Sequence, residues 1–120
     1  MPAVVNSLPI VVYAMDAEGT VLLSEGRALA EMGSAPGASV GRGIREVFEG
    51  EPEALLHIER ALQGEAHDAE IQLGRNQRSY HVWYVPTLDS AGRVRMVTGL
   101  ALDISEWEGA RRDLRDATYW

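Results

Sequence analysis

Two stretches of this chain share one layout: an apolar, β-branched run, then Asp-x-x-Gly, then a second apolar run. The first is IVVYAMD (10–16), the turn Asp16 to Gly19, and TVLLS (20–24). The second is SYHVWYVPT (79–87), the turn Asp89 to Gly92, and RVRMVTGLALD (93–103). An Asp that bonds nearby backbone and a Gly at positive φ close a tight hairpin. Two such hairpins predict an antiparallel sheet, because parallel strands would need long crossovers.

The chain between the hairpins reads as mostly helical. GRALAEMG (26–33) predicts one short helix stopped by Gly33. Small residues, SAPGASVGRG (34–43), make a loop, and IREVFEG (44–50) supplies another single helical turn. EPEALLHIERALQGE (51–65) is the clearest helix, with Pro52 suited to the first turn. Leu55, Ile58 and Leu62 mark its apolar face, Ala54 and Ala61 its edge, and Gly64 its end. AHDAEIQLG (66–74) follows as a strand with Ala69, Ile71 and Leu73 on one side. At 120 residues the order strand, strand, short helices, three strands, helix fits one α+β domain.

The end of that order holds a joint. GLALDISEWEGARRDL (99–114) passes from apolar strand to charged helix at Asp103-Ile104-Ser105-Glu106. Ser105 and Glu108 have capping-box spacing, and a Ser cap contributes about 1 kcal/mol. Trp107, Ala110, Leu114 and Ala117 form a heptad-like seam just under two heptads long. Gly109 weakens that helix by roughly 1 kcal/mol. Residues 105–120 therefore read as the beginning of a connector, or as a helix packed on its own domain, and residues 1–104 as the domain it leaves.

Composition removes several function classes. Eleven basic against eighteen acidic residues give −7 at pH 7, which argues against nucleic acid or anionic membrane as the main partner. Without cysteine there is no disulfide framework, thiolate metal site, cysteine nucleophile or flavin–cysteine adduct. A cysteine-free chain suits a reducing cytoplasm, where we expect it to reside. No apolar run approaches the ~18 residues of a membrane span.

Taken in order, these motifs resemble a PAS domain of the bacterial sensor type, from about Asn6 to Glu108. LPIVVYAMDAEGTVLLSEG is similar to that family's first hairpin, and LAEMGSAPGASVGRGIREVF to its short-helix region. ALQGE resembles the end of its connecting helix, and YVPTLDSAGRVRMVTGLALDISE its last hairpin and Asp-Ile-Thr-Glu-type exit. One departure is Glu25-Gly26, near the position where many PAS domains carry Asn. The resemblance implies a five-stranded antiparallel sheet with the short helices and one longer helix on one face. It also implies sensing, dimerisation and relay to an output such as a histidine kinase or cyclase.

The resemblance orients the strand faces. It places Val11, Tyr13 and Met15 inward, with Tyr80, Val82 and Tyr84 from the fourth strand and Val97, Gly99 and Ala101 from the fifth. Ile44, Phe48, Leu55, Ile58 and Leu62 would form the helical wall, and Ile71 joins the same expected ligand pocket. Gly99 and Ala101 are small where a closed core favours larger residues. Either Tyr13, Tyr80 and Tyr84 fill that gap, or a small planar or hydroxylated ligand does. On the outer face Trp83, Val85, Leu100 and Leu102 stay apolar where a solvated sheet would be polar. A second copy of the domain, the N-terminal segment, or the final helix with Trp107 would cover them, and a homodimer is the expectation. Asp103, Ser105 and Glu108 would relay the state of the pocket to the outgoing helix. A ligand-free scaffold that only dimerises is the alternative.

No cofactor is obligatory on this reading. Haem ligated by His57 and a noncovalent flavin are the two that the resemblance brings up. At 100° per residue His57 lies more than 100° from the mean direction of Leu55, Ile58 and Leu62, at the edge of the apolar face or in solvent. No two of the three histidines have metal-ligand spacing, so no metal site is expected. No His, acid and nucleophile share suggestive spacing, and no phosphate-cradling Gly-x-x-x-x-Gly-Lys occurs. The rival enzyme, a ketosteroid-isomerase-like cone with Tyr and Asp in one pocket, would begin with helices rather than a hairpin. Binding without catalysis is the expectation.

Overall fold

A computed structural model describes residues 8–74 and 77–105. Its five strands are β1 (Ile10–Asp16), β2 (Val21–Glu25), β3 (His67–Leu73), β4 (Arg78–Leu88) and β5 (Val94–Asp103). A 3-10 helix (Arg27–Met32), α1 (Ile44–Val47) and α2 (Pro52–Leu62) lie between β2 and β3. The sheet order is β2-β1-β5-β4-β3 and each neighbouring pair is antiparallel. Among the described residues no helix is long and apolar enough to cross a membrane. Trp107, Glu108 and the rest of the expected outgoing helix beyond Ser105 lie outside the described residues.

Both hairpin turns form for the reason their sequence gives. Asp16 Oδ1 accepts from the amides of Glu18 and Thr20 at 3.0 and 2.9 Å. Asp89 Oδ1 accepts from those of Ala91 and Arg93 at 2.8 and 2.9 Å. Gly19 and Gly92 take φ of 87° and 80°, a region that costs residues with a Cβ.

The core lies between one sheet face and the helices. Val11, Tyr13 and Met15 of β1, Tyr80, Val82 and Tyr84 of β4, and Val97 and Ala101 of β5 are all buried there. Trp83 and Val85 alternate to the opposite face and are exposed, while Leu100 and Leu102 are half-buried. Registry brings Tyr13 beside Gly99. The Tyr13 ring lies directly on Gly99, and a Cβ built there would overlap it. At that point the tyrosine itself occupies the space a larger residue would take.

The buried stripe of α2 differs from the expected one. Ala54, Ile58 and Ala61 are its buried residues, and Leu55 and Leu62 are half-buried. Two alanines let the helix backbone approach the sheet closely, so the long leucines splay to the sides. This rotation moves His57 from about 130° to about 70° off the buried direction, at 100° per residue. The histidine sits half-buried at the edge of the apolar face, the first of the two positions expected, as a neighbour of the sheet edge.

Candidate functional site

An open cavity of about 250 Å³ lies at the β1–β2 end of the helical face. Tyr13 and Val11 form its floor, and Val21 and Ser24 of β2 one side. Leu29 and Met32 of the 3-10 helix, then Ile44, Val47 and Phe48 around α1, form the apolar wall. Gly33, Ser34, Ser39 and Arg42 come from the loop between the 3-10 helix and α1, and Glu51, Leu73 and Gly74 close the far end.

Backbone bonding holds this shape. The loop laces onto β2: Gly37 N–H donates to Ser24 O at 2.7 Å and Gly41 N–H to Val21 O at 2.8 Å. Val21 N–H in turn donates to Arg42 O at 2.9 Å. Glu51 Oε1 accepts from Gly74 N–H at 3.0 Å, tying the start of α2 to the end of β3. Gly33 stops the 3-10 helix at φ 78°, donating its N–H back to Ala30 O. Gly26, which opens the same helix at φ 123°, has room for no side chain, because a Cβ would collide with the carbonyl of Ile10.

The lining is amphiphilic. Ser24 and Ser39 are both buried, and their hydroxyls can donate and accept. Arg42 is the lining cation, with its guanidinium 2.9 Å from Glu46. Burial pushes the Tyr13 phenol well above its ordinary pKa, with nearby Tyr84 adding to the shift, so Tyr13 stays a neutral hydroxyl near neutrality. Its ring meets Phe48 at a centroid distance of 5.8 Å. A smaller recess behind it is lined by Tyr13, Phe48, Ala54, Val82, Tyr84 and Ala101, among others.

The structure brings together only part of the expected pocket. Tyr13, Ile44 and Phe48 line the cavity, and Tyr13, Phe48, Val82, Tyr84 and Ala101 line the recess. Met15, Leu55, Ile58, Leu62, Ile71, Tyr80 and Gly99 line neither. Met15, Ile58 and Tyr80 are fully buried in packed core, and Gly99 lies beneath Tyr13. The accessible space is displaced toward β2 because the tyrosines and α2 fill the centre of the sheet. Sequence reasoning missed Ser24, Ser39 and Arg42. Ser24 lies three beyond Val21, which strict alternation would put on the opposite face, and the loop carrying the other two has no periodicity to read.

The space does not suit the cofactors weighed from the sequence. A cavity of about 250 Å³ is below the roughly 300–1,000 Å³ of ordinary small-molecule sites, and too small for a haem or a whole flavin. His57 lines neither space. Its Nδ1 lies 3.0 Å from His67 Nε2 and both rings stack on Tyr84. That contact was invisible in the sequence, since it joins α2 to β3. Among the described residues no group of three or more potential ligands could hold a metal ion.

The exit joint is clamped to the start of β4. Asp103 Oδ2 pairs with Arg78 Nε at 2.7 Å, and Asp103 Oδ1 accepts from Ser105 N–H at 3.0 Å. Burial alone would raise the Asp103 pKa, but the bonds from Arg78 and Ser105 outweigh it and hold the carboxyl below its ordinary value. Ile104 N–H donates to Ser79 O at 2.9 Å, and Ser105 Oγ accepts from Ser79 N–H at 2.9 Å. Within the described residues the Ser105 hydroxyl thus ties the joint to β4; the Glu108 half of the expected capping box lies outside them.

Comparisons with known proteins agree with this architecture. The family model described as PAS fold matches residues 5–109. This chain belongs to the PAS family. It is 28% identical over 133 aligned positions to the virulence sensor protein BvgS of Bordetella bronchiseptica. That alignment takes in 98% of the chain but 10% of the relative, so the chain spans about a tenth of that sensor's length. The PAS domain of Bordetella pertussis BvgS superposes with a TM-score of 0.61 at 26% identity, covering 99% of this chain and 94% of that one. A sensory box sensor histidine kinase from Vibrio cholerae has the same fold, with a TM-score of 0.64 at 11% identity over 86% of this chain and 87% of that one. So does the N-terminal domain of a diguanylate cyclase with PAS/PAC sensor from Marinobacter aquaeolei, with a TM-score of 0.64 at 15% identity, covering 82% and 98% respectively. PAS domains are sensory modules, and this chain is a PAS sensor domain related to that of BvgS.

Proposed function

We propose that this domain binds a compact amphiphilic molecule in the cavity between β1, β2 and α1, and reports its presence through the Asp103 joint. Ser24, Ser39 and Arg42 would take its hydrogen-bonding or anionic end, and Leu29, Ile44, Val47 and Phe48 its apolar body. The single observation that carries the reading is the position of Tyr13. Its ring lines the cavity on one side and lies on Gly99 of β5 on the other. Three residues of this chain, Leu100 to Leu102, separate that contact from the clamped joint. A ligand that moves Tyr13 therefore acts directly on the strand that leads out of the domain. It can shift the balance of two arrangements only by its differential affinity for them.

On this reading the domain works by binding in a cytoplasmic setting, with residues 105–120 beginning a connector to a histidine kinase or cyclase. A homodimer would cover Trp83 and Val85 on the outer sheet face. Native mass spectrometry of the chain purified from its own host tests the ligand directly. A reproducible extra mass of a small molecule is expected; bare protein in every preparation would favour the second reading, a filled PAS scaffold that only dimerises. That second reading draws on the Tyr13–Gly99 contact, where the tyrosine already fills the gap between strand and helices.

A further inference from the structure

Outside the cavity, three aromatic rings from three elements meet at the β3 edge. His57 of α2 and His67 of β3 lie edge to edge, their ring centroids 5.1 Å apart and Nδ1 to Nε2 3.0 Å apart. Both rest on the Tyr84 ring of β4, at 5.4 and 4.9 Å with interplanar angles of 15° and 19°. His67 Nδ1 lies 3.0 Å from the carbonyl oxygen of Glu65. A carbonyl only accepts, so Nδ1 carries the hydrogen and His67 Nε2 presents its lone pair to His57. The 3.0 Å contact then needs one hydrogen on His57 Nδ1. A first added proton can sit on His57 Nε2 and leaves that bond in place; a second, on His67 Nε2, replaces it with two facing N–H groups.

From this geometry we infer that His57 and His67 form a single proton-sharing latch that fastens α2 to β3 when singly bridged and releases it when acid doubly protonates the pair. The surroundings leave the second proton poorly compensated. Desolvation, His67 and Arg60 all lower the His57 pKa from its ordinary 6.5, and Glu53, one turn away on α2, only partly opposes them. The carboxylate of Glu65 is engaged by Arg60 at 2.6 Å, and that of Glu59 by Arg45 at 2.6 Å. Tyr84 presents a neutral ring, its phenol pKa raised chiefly by burial. The sign follows from linkage. Folded His57 holds its proton less readily than an unfolded histidine, so below about pH 6.5 the unfolded chain binds more protons and the latch loses stability as pH falls. Because Tyr84 also lines the inner recess, release frees a ring on which the interior rests.

Ring-resolved NMR titration of the 120-residue chain tests the latch, with His81, which bonds Asp68 at the sheet edge, as internal reference. We expect the His57 and His67 signals to move together in two apparent steps, separated by about one pH unit or more as coupled sites are. Protection of the Glu53 to Leu62 amides, relative to their intrinsic exchange at each pH, should fall about tenfold once the second step is passed. His57→Gln should flatten the pH dependence of helix protection. Two independent single-step titrations in the wild-type chain, or helix protection unchanged through both steps, would overturn the latch whatever the variant does.

Discussion

Gly99 concentrates the argument at the scale of a single residue. Its missing side chain is where the Tyr13 ring sits, so Gly99→Ala must push that ring toward the cavity. Overpacking of this kind costs about 1–3 kcal/mol, and a lowered urea midpoint with unchanged slope is the expected reading. Asp103 makes the second prediction. Its folded pKa is held below its ordinary 3.8, so its contribution to stability is full above that value and is lost as pH falls through the lower folded value. Asp103→Asn should therefore lower the melting temperature at neutral pH and narrow the gap to wild type as the solution is acidified below about pH 3.8. The Asp-x-x-Gly turns were legible because their bonds are local. The Arg78–Asp103 pair was not, since it joins residues 25 apart and no pattern along the chain announces it.

Element-scale reasoning succeeded for the strands and slipped on α2. Period-two alternation divided β1, β4 and β5 into two faces, because one residue of slip would reverse every side chain, and the PAS resemblance said which face is buried. On α2 the leucines looked like the stripe, whereas the buried positions are Ala54, Ile58 and Ala61. Hydrophobicity alone favours the larger residues; close approach of helix and sheet favours the smaller ones. Ala61→Leu should accordingly destabilise the fold by about 1–3 kcal/mol through overpacking, measured by chemical denaturation, although it makes the helix more apolar. A neutral or stabilising result would return the leucine face to the core. The same rotation explains why His57, expected at the edge of the apolar face or in solvent, meets His67 in the structure.

For the whole molecule, element order gave the succession of strands and helices, the PAS resemblance implied a five-stranded sheet with its helical cover, and the family match bears this out. The position of the cavity was not readable, because it depends on how far the tyrosines and α2 fill the middle of the sheet. At this scale the outer face carries its own prediction. Trp83 and Val85 remain exposed, and if a second copy covers them, Trp83→Lys should turn a dimer into a monomer in light scattering at matched concentration. An unchanged mass would remove this face from the interface. The central claim is that the cavity and the exit joint are mechanically one system through Tyr13 and Gly99. Hydrogen exchange at the Ile104 and Ser105 amides, compared between wild type and the cavity-filling Ser24→Leu, tests it most directly. The account predicts a change of several-fold at both amides, far from the substitution; a response confined to the cavity walls, with the joint untouched, would contradict it.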